Sequence, residues 1–225
     1  MRVINNKEWA KKNRKKIAEK IISASGAVPV DKPIAIFMAG IPGAGKTEFL
    51  EQFLASSPDP FVKIDLDTIV EYFENYSADK YYMYRDSANP IIEKTLDIVT
   101  EKKYNFALDG TFAHSKGAHN IQRALNHGYF VGLFYIYQDP LVAWDITKAR
   151  EIDTKRGIER KGFLKACEEV PNNVQKIIDD LGDKVYVVSV VKDNLNRYSF
   201  NRGAKRVDDF GKRTYNKDEL NRKII

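Results

Sequence analysis

The stretch Gly40-Ile41-Pro42-Gly43-Ala44-Gly45-Lys46-Thr47 decides the fold class of this 225-residue chain. It fits the pattern G-x-x-x-x-G-K-[ST], whose glycines let backbone N–H groups turn inward around phosphate oxygens. An apolar run over residues 33–39 precedes it and a helical pattern over residues 45–56 follows, which is the context that this pattern requires. We therefore predict that these eight residues bind a nucleoside triphosphate, with the Lys46 ammonium on the β- and γ-phosphates and the Thr47 hydroxyl on Mg²⁺.

Short apolar runs alternate with helical patterns through residues 31–193. The predicted strands cover residues 33–39, 61–64, 106–108, 129–137 and 186–191. Such alternation is typical of an α/β fold with a mostly parallel sheet, here of about five strands flanked by helices. Sheets of this kind bind their ligands at the carboxyl ends of the strands, so we expect functional side chains directly after them.

The net charge of +6 is concentrated at the two ends of the chain. Residues 1–30 carry a net +6 and residues 194–225 a net +5, whereas residues 31–193 carry a net −5. We predict three parts: a basic N-terminal helix that packs on the core (1–30), a nucleotide-binding domain (31–193) and a basic C-terminal appendage (194–225). The acidic middle part argues against a nucleic-acid groove formed by the core itself.

The composition also excludes several classes of protein. No apolar run approaches the roughly 20 residues that span a bilayer, and the lysine-rich start lacks the apolar segment of a secretory signal. The single cysteine, Cys167, fits a reducing compartment and shows no metal-ligand spacing with His114, His119 or His127. We therefore expect a cytoplasmic protein without a transmembrane segment, an internal disulfide or a zinc site.

Three aspartates follow predicted strands. Asp65 and Asp67 end the strand at 61–64, and side chains at i and i+2 of an extended segment point the same way. Phosphoryl transfer needs one group that accepts a hydroxyl proton and another near Mg²⁺, so we assign Asp67 as the catalytic base and Asp65 as the metal-side carboxylate. Alternatively, Asp67 is only the N-cap of the next helix. Asp109, after the third strand, is either a Walker-B-like aspartate or, with Thr111, a contact to the acceptor substrate.

An arginine-rich stretch, Asp153 to Lys161, separates two predicted helices. Phosphoryl transfer spreads negative charge over three oxygens, and arginines on a lid neutralise such charge. We predict Arg150 and Arg160 as the catalytic pair and Arg156 as a further contact to the substrate. The alternative is a solvated loop between helices.

Together these residues resemble the zeta-toxin-like kinases, a P-loop kinase family. The resemblance extends over roughly residues 30–192 and rests on four features. These are Ala39–Thr47, Ile64-Asp65-Leu66-Asp67, Leu108-Asp109-Gly110-Thr111 and the arginine lid before a final strand.

The resemblance implies a P-loop kinase fold and ATP- and Mg²⁺-dependent phosphorylation of a hydroxyl on a sugar nucleotide, typically UDP-N-acetylglucosamine. Such a product starves bacterial cell-wall synthesis, so these kinases act as toxins beside antitoxin proteins. On this resemblance Lys46 and Thr47 match the nucleotide site, Asp67 matches the proton-accepting aspartate, and Arg150 and Arg160 match the charge-stabilising arginines. The family commonly has a glutamate where Asp109 stands.

Other functions remain open at the level of sequence. A polynucleotide or tRNA-end kinase would use the basic ends, where Tyr198, Phe200, Phe210 and Tyr215 stand among basic residues. A non-enzymatic nucleotide switch or an antitoxin-docked module is a third possibility, whereas the missing N-K-x-D motif disfavours a GTPase. The tyrosine-rich segment 81–86 either packs as core, which we favour, or stacks on a nucleobase.

Overall fold

The computed structural model describes residues 5–193, 197–208 and 215–224. Its centre is a six-stranded sheet with the strand order β2-β3-β1-β4-β5-β6. The strands are β1 (Ile34–Ala39), β2 (Val62–Asp65), β3 (Phe106–Asp109), β4 (Phe130–Tyr137), β5 (Val185–Lys192) and β6 (Tyr198–Arg202). The first five run parallel, which confirms the α/β class and the mostly parallel sheet that the sequence predicts.

The sixth strand, β6, was not predicted. It pairs antiparallel with β5 at the sheet edge, and most of its side chains are exposed. Edge strands of this kind lack the continuous apolar run by which buried strands are recognised in a sequence.

Helices surround the sheet and include several short turns between β2 and β3. Their bounds are α1 (Asn6–Ala24), α2 (Lys46–Ala55), α3 (Leu66–Ile69), α4 (Tyr81–Arg85), α5 (Asn89–Lys102), α6 (Lys116–Asn126), α7 (Pro140–Thr154), α8 (Arg160–Leu181) and α9 (Lys217–Lys223). Because α7 extends to Thr154 and α8 begins at Arg160, the predicted lid is reduced to the loop at residues 155–159.

The basic N-terminal helix α1 lies against α5. Its buried side chains form one stripe: Ala10, Ile17, Ala18, Ile21 and Ile22. The Trp9 ring adds a tilted contact with Phe73 at a centroid distance of 4.7 Å. Burying this stripe removes apolar surface from water while the lysines and arginines of the helix stay on the outer side.

The parallel register places the functional candidates at one edge of the sheet. β1 lies between β3 and β4, so the loop after β1 emerges in the middle of the carboxyl edge. Asp65 at the end of β2 stands directly opposite Asp109 at the end of β3. No helix in the described part of the chain is long and apolar enough to cross a membrane. Within the same ranges, no cluster of three or more His, Cys, Asp or Glu residues is arranged to hold a metal.

Candidate active site

The glycine-rich loop between β1 and α2 has the conformation of a phosphate cradle. Gly43 adopts a positive φ of 79°, and a Cβ atom there would collide with the carbonyl oxygen of Ala143 on α7. Gly45, with φ 85°, is the N-cap of α2 and has no side chain that covers the helix N-terminus. The first N–H groups of α2 are therefore open to an anion, and the helix dipole favours negative charge at this point.

Lys46 is half-buried beside this loop. Its ammonium group donates a hydrogen bond to the carbonyl oxygen of Ile41 at 2.9 Å. Burial lowers the pKa of Lys46 to about 8, although the carboxylates of Asp109 and Glu48 oppose the shift. Phosphate oxygens bound in the cradle would stabilise this partly desolvated ammonium group, because they bring negative charge next to it.

The Thr47 hydroxyl donates to Oδ2 of Asp109 at 2.8 Å. The sequence predicts Asp65 on the metal side and leaves two roles open for Asp109, a Walker-B-like aspartate or a contact to the acceptor; the bond to Thr47 favours the first of these. Asp65 is the N-cap of α3, accepting from the Asp67 backbone at 3.0 Å and the Thr68 hydroxyl at 3.1 Å, and its metal-side role stays a prediction. Burial and the nearby Asp109 charge raise the pKa of Asp65. The geometry therefore favours Asp109 as the Walker-B-like aspartate. The N-cap of α3 is Asp65 and not Asp67.

Asp67, in the first turn of α3, is the meeting point of three polar side chains. The Tyr81 hydroxyl donates to its Oδ1 at 2.6 Å. The guanidinium groups of Arg156 and Arg150 lie 3.7 Å and 4.0 Å from its Oδ2. The structure therefore brings together the predicted base and two of the three predicted arginines.

The loop at residues 155–159 holds Arg156 firmly over this site. Its guanidinium donates to Oε1 of Glu71 at 2.8 Å and lies 5.7–6.0 Å from the ring centroids of Tyr81 and Tyr76. A cation placed over two aromatic faces and paired with a carboxylate is well fixed. The loop thus places Arg156 against Asp67.

Arg160 lies elsewhere. Its guanidinium donates to the carbonyl oxygens of Ile224 at 2.7 Å and Asn221 at 2.6 Å, at the C-terminal end of α9. The structure does not bring it to Asp67, because Arg160 starts α8 and is exposed there rather than carried by the loop. The geometry therefore favours Arg156 over Arg160 as the partner of Arg150.

Thr111 follows β3 beside the cradle. Its carbonyl oxygen accepts from the Gly40 backbone at 3.1 Å, and its hydroxyl accepts from the Ala113 backbone at 3.4 Å. These contacts tie the loop after β3 to the start of the cradle. The predicted contact between Thr111 and the acceptor stays a prediction.

Sequence reasoning missed three residues that the structure places at the site. Tyr81 is the first residue of the short helix α4 and Glu71 lies in a 3₁₀ turn after α3; neither belongs to a known motif that would mark it as a site residue. Lys192 ends β5, and its Nζ would lie only 3.3 Å from a Cβ built on Gly45. The rule that ligands meet the carboxyl ends of parallel strands could have identified Lys192.

Solved structures show the same architecture at low sequence identity. One, from the PezAT chromosomal toxin–antitoxin system of Streptococcus pneumoniae, is 18% identical and has a TM-score of 0.69, with 94% of this chain and 93% of that chain covered. The native AvrRxo1-ORF1:-ORF2 complex is 12% identical with a TM-score of 0.60, covering 97% of this chain and 78% of that chain. The same complex with ATP is 13% identical with a TM-score of 0.58, covering 97% and 69%.

Comparison with curated protein sequences finds no match. The family model described as "Zeta toxin", in contrast, matches residues 19–205, from the second half of α1 to beyond β6. The match includes the phosphate cradle, Asp67, Asp109 and the loop that carries Arg156. This chain therefore belongs to the zeta toxin family of kinase-like P-loop proteins.

Proposed function

We propose that this chain transfers the γ-phosphoryl group of ATP to a hydroxyl of a small nucleotide-type acceptor, with UDP-N-acetylglucosamine as the first candidate. The observation that carries the proposal is the environment of Asp67. A carboxylate with two guanidinium groups within 4.0 Å stands on the same sheet edge as the cradle of Lys46. A phosphoryl-transfer site needs this combination of a proton acceptor and fixed positive charge.

Each side chain has a defined task in this proposal. Asp67 accepts the proton of the acceptor hydroxyl as its oxygen attacks the γ-phosphorus. Lys46, Arg150 and Arg156 stabilise the negative charge that develops on the transferred group. The donors of the cradle hold the β-phosphate and keep the leaving ADP in place.

The residues present also fit a magnesium ion. The Thr47 hydroxyl and the Asp109 carboxylate are hard oxygen donors 2.8 Å apart, the ligand type that Mg²⁺ prefers. When bound, Mg²⁺ neutralises charge on the β- and γ-phosphates. We propose that Thr47 and Asp109 hold it, with Asp65 as the neighbouring carboxylate rather than the first ligand.

An antitoxin protein is the partner that this proposal includes. Support comes from the neighbours, since one is described as part of a toxin–antitoxin system and another as a two-protein complex. Co-expression with the product of an adjacent small open reading frame, followed by co-purification, tests this partner directly.

The polynucleotide alternative loses support from the tail aromatics. Tyr198 packs edge-on against Phe49 at 5.5 Å, and the Tyr215 hydroxyl donates to Asp139 at 2.8 Å. Phe200 is 49% exposed, whereas Phe210 lies outside the described residues. Two of the four rings are thus committed to the body of the protein and not presented for base stacking.

An acceptor panel tests the proposed function. Purified protein is mixed with ATP, Mg²⁺ and, in separate reactions, UDP-sugars, nucleosides and RNA ends, and phosphorylated products are followed by mass spectrometry. We expect one UDP-sugar to gain a phosphoryl group and Lys46→Ala to abolish the product. Release of ADP with no phosphorylated acceptor would refute transfer, and phosphorylated RNA ends alone would favour the polynucleotide kinase.

A further inference from the structure

A hydroxyl group of the chain itself already lies on the proposed base. Tyr81 opens α4, and its hydroxyl donates to Oδ1 of Asp67 at 2.6 Å. This is the shortest of the polar contacts that Asp67 makes with a side chain among the described residues. An acceptor substrate must place its hydroxyl at the same hydrogen-bond distance from the base so that the base can remove its proton.

The surroundings of Tyr81 match those required of an acceptor. The Arg156 guanidinium lies 5.7 Å from the ring centroid of Tyr81 and 3.7 Å from the same carboxylate. Arg150 lies 4.0 Å from Oδ2 of Asp67, the same oxygen that Arg156 approaches. The phenol, the base and both charge-stabilising arginines thus form one cluster, without any contribution from a bound substrate.

We infer that Tyr81 is an internal phosphoryl acceptor, and that the chain transfers the γ-phosphoryl group of ATP to its own Tyr81 when no external acceptor is bound. This inference rests on the proposed function, because it uses the same ATP, cradle and base. In the step, a bond forms between the Tyr81 oxygen and the γ-phosphorus while the bond from that phosphorus to the β–γ bridging oxygen breaks. The phenolic proton passes to Asp67, and ADP leaves.

The electrostatics of the cluster explain why a base is required and why the product is retained. Burial and the negative charge of Asp67 raise the pKa of Tyr81, so the phenol does not ionise by itself near neutral pH. Arg85 and Arg156 act on the phenol in the opposite direction. The phosphate formed there would be held by these guanidinium groups.

The modification would close the acceptor site. Phosphorylation of Tyr81 would add a dianion at the point where the acceptor hydroxyl must lie. An external acceptor would then meet both steric exclusion and like-charge repulsion. The kinase would therefore limit its own activity whenever ATP is present without acceptor.

Mass spectrometry of the full chain after incubation with ATP and Mg²⁺, without acceptor, tests the inference. We expect one added phosphoryl group, mapped by peptide fragmentation to Tyr81. Tyr81→Phe should remove it, and Lys46→Ala should prevent it. Tyr82→Phe is the matched control, since Tyr82 is the next residue, is 70% exposed and should be modified at Tyr81 like the wild type. Thermal melting shows that each variant is folded.

A second readout is the loss of activity during preincubation. Wild type and Tyr82→Phe should lose their initial rate on the acceptor progressively with time in ATP and Mg²⁺. Tyr81→Phe should keep the rate of its own untreated sample. Modification should follow first-order kinetics whose rate constant is independent of protein concentration, as expected for transfer within one chain.

The outcomes separate this inference from the proposed function. Phosphorylated external acceptor together with unmodified Tyr81 refutes the inference and leaves the proposed function intact. Phosphate found only on other residues refutes it equally. If neither Tyr81 nor any acceptor is phosphorylated by folded, ATP-binding protein, both the inference and the proposed function are wrong.

Discussion

Replacing Asp67 by asparagine separates the chemical step from ATP binding. Asparagine keeps the size of the side chain and its ability to accept a hydrogen bond from Tyr81, but it cannot take up a proton. General-base catalysis contributes about 10²–10⁴-fold, so kcat should fall by that factor, which corresponds to about 3–5 kcal/mol of transition-state free energy.

The same change should have a small effect on stability and on ATP binding. The two arginine contacts of Asp67 lie at 3.7 Å and 4.0 Å and are partly exposed, with the Arg150 side chain 49% accessible. Ion pairs of this kind contribute about 0.2–1 kcal/mol each, so unfolding should lose less than about 2 kcal/mol. The Lys46 ammonium is held by the Ile41 carbonyl, and the Asp67 charge is the smallest of the named influences on its pKa, so the Kd for ATP should change by less than about threefold.

The assay compares initial rates of acceptor phosphorylation with calorimetric ATP titrations of the same samples. Asp59→Asn is the control, because Asp59 is an exposed aspartate in the connection between α2 and β2. A rate for Asp67→Asn within tenfold of the wild type would refute its role as the base. Loss of ATP binding in this variant would show that Asp67 supports the nucleotide site instead.

Three further predictions follow from the geometry of the site. Arg156→Ala should lower kcat by about 10³-fold, as expected for an arginine that stabilises the transferred phosphoryl group. Arg160→Ala should lower mainly the free energy of unfolding, by about 1–3 kcal/mol, because Arg160 binds the end of α9. Equal losses of kcat in the two variants would contradict this difference. Gly43→Ala should abolish ATP binding in a titration, because its Cβ collides with the Ala143 carbonyl at a positive φ; unchanged affinity would contradict it. The pKa of Lys46 is about 8, and bound phosphate should raise it. ATP binding at pH 9 should therefore be accompanied by uptake of a proton, which calorimetry in buffers of different ionisation enthalpy detects. Lys46→Ala should abolish this uptake.

The elements that could be predicted from the sequence are those determined by local patterns. Residues 40–47 carry their own conformational requirements, and the buried strands are continuous apolar runs, so the parallel sheet and the loop after β1 can be recognised from the residues alone. β6 could not be recognised, because an exposed edge strand has no such run.

The parts of the site that could not be predicted depend on contacts between distant segments. Thr47 and Asp109 are 62 positions apart, and Glu71 and Arg156 are 85 apart. Neither pair leaves a local signal, so the sequence could not decide which of Asp65 and Asp109 meets Thr47. In the same way, it could not show that Arg160 binds α9 while Arg156 reaches Asp67.

The tyrosines of segment 81–86 differ in their surroundings, so a single prediction of core packing does not describe all of them. The preference for core packing is correct for Tyr84, which is buried, and wrong for Tyr82, which is 70% exposed. Tyr81 is partly buried against the core and also donates to Asp67. Short helices of one turn or two present neighbouring residues to different surroundings, so one description cannot apply to all of them.

The central claim is that the γ-phosphoryl group passes to a hydroxyl acceptor. A single-turnover reaction with protein in excess over ATP labelled in its γ-phosphate, with Mg²⁺ and UDP-N-acetylglucosamine, measures this directly. We predict that the label appears in the UDP-sugar, and that Lys46→Ala and Asp67→Asn leave it in ATP. Label recovered only as inorganic phosphate, with the UDP-sugar and the other acceptors of the panel unlabelled, would contradict the claim.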